Sequence, residues 1–257
     1  METIMKTPGA GKQKGLPPVN LKNALFNGVM NKYLSRFEKV MKQKGAKDLQ
    51  TIGVRITEGY LRFEANLSIG STGTIQFAVV EGDQSPNANA TANPNEQRLA
   101  KTDEFVIESY SFQLAKSATT SIANLTIMKP DSYPDPAIFT GSGEAANLYS
   151  IYNGNLFIQI DGIVWTQQGK MLKYLYIPET QQGTTNANPV SEWWENSTVR
   201  DGYPSITLRG NGKNVIQVNL GSSINLALNA TTNTNNWLIM QVDGYLVQNA
   251  SKFATQG

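Results

Sequence analysis

Hydrophobic and polar positions change rhythm once along the chain. Between residues 20 and 43, Leu21, Leu25, Phe26, Val29, Tyr33, Phe37, Val40 and Met41 recur at three- and four-residue spacing, the period of an α-helix. They spread over roughly half of the helix circumference, a broad apolar face. Asn20, close after Pro18, supplies an N-cap, and Gly45 supplies a stop. Lys32, Arg36 and Lys39 run as a basic stripe along one flank, and Glu38 and Lys42 form an i,i+4 pair. The pattern predicts an amphipathic helix over about residues 20–43 with Leu25, Val29, Tyr33, Phe37 and Val40 on its packing face.

From residue 50 the period drops to two. Strands are predicted at "TIGVRIT", "YLRFEANLSI", "TIQFAVVE", "EFVIESYSFQL", "SIANLTIM", "LYSIY", "NLFIQI", "GIVWTQ", "MLKYLYI", "SITLRG", "NVIQVNL", "SINLALN", "NWLIMQV" and "YLVQN". They are rich in β-branched and aromatic residues and separated by turn formers. Only 143–152 is ambiguous between the two periods. This density of short strands points to an antiparallel β-sandwich or barrel. Three polar stretches, 82–97, 178–204 and 229–236, read as surface loops, because burying their backbone without partners would be costly. No linker separates independent cores, so residues 1–48 are expected to form an arm plus helix and residues 49–257 a single β domain.

Charge sharpens this division. Residues 1–48 hold ten Lys or Arg against three Asp or Glu, a net +7, while the remainder holds twelve against seventeen, a net −5. The basic residues of the arm and helix are Lys6, Lys12, Lys14, Lys22, Lys32, Arg36, Lys39, Lys42, Lys44 and Lys47. Residues 1–18, rich in Gly, Pro and Lys, read as an extended arm. Such an arm suits an acidic partner, either nucleic acid or the acidic body of another subunit. The helix has four competing uses: packing on its own body, insertion between subunits, contact with a membrane surface, or contact with nucleic acid. The broad apolar face favours packing within its own protomer or assembly.

Composition narrows the chemistry. The chain has no Cys and no His, which removes disulfides, thiolate metal sites, and the commonest general base and metal ligand. Triad hydrolases and zinc hydrolases are therefore not expected, and no metal or cofactor is assigned. The N-terminus has no apolar core of a secretory signal, and no apolar run reaches about 18 residues. The six Asn-x-Ser/Thr sequons, at Asn66, Asn89, Asn124, Asn196, Asn229 and Asn249, read as products of an Asn-rich chain.

Individual motifs add little catalytic promise. "QIDG" and "QVDG" place Asp161-Gly162 and Asp243-Gly244 between apolar runs, which predicts two hairpin turns ahead of a carboxylate pair. "PGAGKQKG" and "RGNGKN" lack the spacing of a phosphate-binding loop. "KPDSYPDPAIF" lacks EF-type calcium spacing and reads as a Pro-rich connector. Trp193 and Trp194 sit together in the longest polar loop, as a candidate glycan or subunit contact, or folded back over the sandwich edge.

Together, the basic arm, the helix and the strand-rich body with long polar loops resemble jelly-roll coat and capsid-associated proteins of viruses. The C-terminal half, with "ANLYSIYNGNLFIQIDGIVW", "YLYIPETQQG", "SITLRGNGKNVIQVNL" and "WLIMQVDGYLVQNASKF", is similar to structural virion proteins of phages infecting Bacteroidota. The resemblance implies an all-β, antiparallel jelly-roll-like β-sandwich carrying an N-terminal basic arm and amphipathic helix. It further implies a non-enzymatic capsid or auxiliary capsid subunit, assembled in the host cytoplasm into the virion. Its partners would be copies of itself, other virion proteins and packaged nucleic acid. A carbohydrate-binding, lectin-like sandwich using Trp193 and Trp194 is the alternative expectation, and an enzyme with a carboxylate pair a weaker third.

Overall fold

The computed structural model describes Gly28, Val29 and Asn31 together with residues 53–68, 71–85, 96–117, 132–177, 200–201, 206–226 and 235–254. Its strands are β1 (Arg55–Asn66), β2 (Ser71–Phe77), β3 (Glu104–Ser117), β4 (Asn155–Ile160), β5 (Ile163–Lys170), β6 (Arg200–Asp201), β7 (Thr207–Arg209), β8 (Asn214–Asn225) and β9 (Asn235–Gln248). Two short helices, α1 (Glu144–Tyr149) and α2 (Ser251–Ala254), accompany them. One sheet has the order β1-β9-β3-β6, with β7 also on β3, and the other has the order β2-β8-β4-β5. All these strand pairs are antiparallel. The chain is therefore mostly β in two antiparallel layers, as the alternating pattern predicts.

The pairings nest. β1 pairs with β9, β2 with β8, β3 with β7 and β4 with β5. They form one long antiparallel ribbon, and successive pairs of that ribbon fall in alternate sheets. Two further ladders, β3 with β9 and β4 with β8, complete the layers.

Between the layers lies the main core. Alternation selects its residues: Leu156, Ile158 and Ile160 from β4, Ile216 and Val218 from β8, and Leu238, Met240 and Val242 from β9. β3 contributes Phe105 and Ile107, then Tyr110, Phe112 and Leu114. The parity changes there because its register on β9 slips between Ile107 and Ser109, leaving Glu108 as an extra residue. The Phe112 and Tyr174 rings meet edge to face at 4.9 Å. Each such buried side chain contributes about 1.5–3 kcal/mol by leaving water.

Several predicted boundaries move. "TIGVRIT" and "YLRFEANLSI" merge into β1, and "NVIQVNL" and "SINLALN" merge into β8. The break predicted at Gly221 is a bulge: β8 carries three more residues than β2 between the pairs Thr74–Asn219 and Thr72–Ile224. "LYSIY" is helical, because Leu148, Ile151 and Tyr152 are spaced to bury together from α1 and the 3-10 turn after it. "MLKYLYI" likewise opens with a 3-10 turn that buries Met171 and Tyr174. "SIANLTIM" lies outside the described residues.

The two Asp-Gly pairs part company. Asp161 (φ 50) and Gly162 (φ 84) form the two-residue turn between β4 and β5, as a type I′ turn requires. It is the tip of the nested ribbon. Asp243-Gly244 makes no turn and lies inside β9, correcting the hairpin expected there. A Cβ at Gly244 would sit 2.0 Å from the carbonyl oxygen of Val106. Glycine lets β9 lie against the bulge of β3. The glycines should accordingly respond differently to alanine. Gly162→Ala, which meets no atom within 4 Å, should cost about 1–2 kcal/mol for its positive φ. Gly244→Ala should cost about 3 kcal/mol, the upper end for overpacking. Urea unfolding midpoints of the two variants check the order.

Candidate functional site

Most sequence-designated residues of the arm and helix lie outside the described residues: Lys6, Lys12, Lys14, Lys22, Lys32, Arg36, Lys39, Lys42, Lys44, Lys47, Leu25, Tyr33, Phe37 and Val40. The same holds for Trp193 and Trp194. Val29 is the exception. It is helical, 4% exposed, and packs with Val54, Val106, Tyr245, Val247 and Ala250 on the outer face of the β1-β9-β3 sheet. The sequence places an apolar face at Val29, and the structure supplies an apolar patch beneath it.

Beside that patch the outer face is acidic and aromatic. Glu58 is opposite Tyr245, and Asp243 is opposite Tyr60. Further along the same face, Arg62 pairs with Glu64 at 2.8 Å. A wholly buried pair, Arg98 with Glu96 at 2.9 Å, stands next to them, and Glu96 Oε1 accepts from the Glu64 N–H. The end of the polar loop 82–97 thus docks on β1, where Gln97 and Arg62 exchange backbone hydrogen bonds.

Asp161 serves the ribbon tip. Its Oδ2 accepts from Arg209 Nη1 and its Oδ1 from the Lys213 N–H, both at 2.9 Å. "RGNGKN" is therefore a turn clamped onto the neighbouring turn. Asp161 lies at the β4–β5 turn of one sheet, whereas Asp243 lies within β9 of the other. Among the described residues, no three acidic side chains gather where a metal could be held.

At the opposite end of the sandwich is a buried polar cluster. Glu144, the first residue of α1, bonds Lys116 Nζ through Oε2 at 2.8 Å and Asn236 Nδ2 through Oε1 at 2.9 Å. Oε2 also accepts from the Gly141 N–H at 2.9 Å. Asn236 Nδ2 also donates to the Leu226 carbonyl, and the Asn236 backbone N–H donates to Ser68 Oγ. The cluster ties β3, α1, β9 and the ends of β1 and β8 together. Sequence reading passes over it, although one signal was present. Lys116 continues the inward parity of Phe112 and Leu114, and Asn236 precedes inward Leu238 by two.

The other unusual surface is β5. It ends its sheet with no strand on its far side among the described residues. Ile163, Val164 and Trp165 are 63%, 46% and 40% exposed, and Leu172 and Ile177 are exposed nearby. No charge interrupts Ile163–Gly169, and Lys170 at the end of the strand is the one charged residue that guards this edge.

No family model and no curated protein matches the chain.

Burial raises the Tyr245 phenol above the ordinary tyrosine value of about 10, and Glu108 and Glu58 add to the shift. The fold thus favours the neutral phenol. The stability this contributes is full below about pH 10 and is lost as pH rises through the raised value. Tyr245→Phe should flatten the alkaline part of a stability–pH curve, measured by urea unfolding.

Proposed function

We propose that this chain is a non-enzymatic structural subunit of a virion, a phage capsid or capsid-associated protein built as a jelly-roll sandwich. The observation that carries the reading is the nested strand pairing. A ribbon folded at β4–β5, with its pairs alternating between two sheets, is the arrangement by which a jelly roll forms from two Greek keys. That architecture serves capsid subunits and also lectins, so fold alone does not choose between them. Three features favour the structural subunit. The bare apolar edge β5 offers a repeating contact, the +7 segment 1–48 suits packaged nucleic acid or a neighbour's acidic body, and the chain has no His or Cys for common catalytic chemistry.

In this reading the sandwich is the rigid unit, and copies of it join through β5 and through the N-terminal helix. Ordering an arm on assembly costs entropy, which intersubunit burial offsets. Other virion proteins are the further partners, and the virion, assembled in host cytoplasm, is the place of action.

Light scattering on the full chain and on a form lacking residues 1–45 tests the proposal. The full chain should form oligomers that the deletion weakens. Val164→Lys, placing a charge on the bare edge, should lower the associated mass at least several-fold. A full chain that stays monomeric at high concentration, with or without residues 1–45, would contradict the reading.

A further inference from the structure

Lys116 and Asn236 are direct partners across the β3–β9 ladder. Opposed residues on paired strands project to the same face, with Cβ atoms about 4.5–5.5 Å apart. Here that face is the interior, shared with Leu114 and Leu238. A primary amine and a primary carboxamide thus stand side by side, and both bond one carboxylate: Glu144 meets Nζ at 2.8 Å and Nδ2 at 2.9 Å. All three residues are more than nine-tenths buried. The Phe139 ring lies 5.8 Å from Nζ and helps wall the site.

An ion pair alone explains Lys116 and Glu144 but leaves the amide unaccounted for. Asn236 Oδ1 is buried and accepts no hydrogen bond among the described residues, an unusual state for a core carbonyl oxygen. Its orientation is fixed, since Nδ2 faces two acceptors, Glu144 Oε1 and the Leu226 carbonyl.

We propose that Lys116 and Asn236 join in an intramolecular isopeptide bond, with Glu144 carrying the protons. Glu144 takes a proton from the Lys116 ammonium, which frees the Nζ lone pair. Nζ attacks Cγ of Asn236, and the carbonyl electron pair moves onto Oδ1. Glu144 passes the first of the two Nζ protons to Nδ2 and takes up the second. The Cγ–Nδ2 bond then breaks, Oδ1 regains its double bond, and the departing ammonia takes the second proton from Glu144 and leaves as ammonium. Glu144 ends as the carboxylate it began as, and no oxidant, reductant or further reactant is consumed. The fold itself supplies the rate: fixing amine and amide on adjacent strands replaces a bimolecular encounter, and a shared carboxylate is a positioned general base. The product would link the third strand to the last in a chain with no cysteine. This inference does not depend on the virion reading.

Intact-mass measurement of the purified, folded full chain tests it. The wild type should be lighter than its sequence mass by one ammonia. A digest should yield a branched peptide connecting Lys116 to Asn236. Glu144→Gln, which keeps the shape and removes the base, should hold the full sequence mass, as should Asn236→Ala. A folded wild type at its full sequence mass would overturn the proposal, as would an ammonia loss that the digest places elsewhere. If the Glu144 variant fails to fold, the wild-type digest decides alone.

Discussion

The larger sheet depends on a single late strand. β9 is the last long strand in the chain, yet it lies between β1 and β3 and pairs with both along almost their full lengths. Without it, β1 has no neighbour in its sheet among the described strands, and β3 keeps only the short β6 and β7. The ladder from Arg55–Gln248 to Asn66–Trp237 spans nearly the whole body of the chain. Closing so long a loop costs entropy before any contact compensates it. The continuous apolar run Trp237–Met240 is what this position demands, because β9 is buried on both faces.

The same strand explains what the sequence could and could not disclose. Alternation reveals the strands and the inward residues wherever one face is wet, as in β4 and β8. It misleads at Asp243-Gly244, where the strongest local hairpin signal is overridden by two long ladders and glycine answers a close backbone approach. Asp161-Gly162 carries the same dipeptide and does turn, because the two strands it joins pair with each other. Local chemistry cannot separate these cases, since the difference lies in partners far away in sequence. The buried cluster was hidden for a related reason. Lys116, Glu144 and Asn236 come from three distant segments, and only the β3–β9 register and the α1 packing bring them together.

Function in this reading follows from rigidity more than from reactive groups. A body keyed by β9 presents fixed surfaces: an apolar patch that receives Val29 on one face, and the β5 edge, with Ile163, Val164 and Trp165 exposed, at the margin of the other sheet. Both suit a subunit repeated by symmetry. The sequence divides its charge between a basic segment, residues 1–48, and an acidic remainder. The buried Lys116–Glu144–Asn236 cluster sits where β3 and β9 end their pairing, the place where fraying of the key strand would begin.

Native-state hydrogen exchange tests most directly whether β9 holds the body together. Amides of Leu238–Val242 should exchange only through global unfolding, with a denaturant dependence equal to that of the whole domain. Their partners in β1 and β3 should behave as one unit with them. Exchange of β9 through local opening, while β2, β8 and β4 stay protected, would contradict the central place given to this strand.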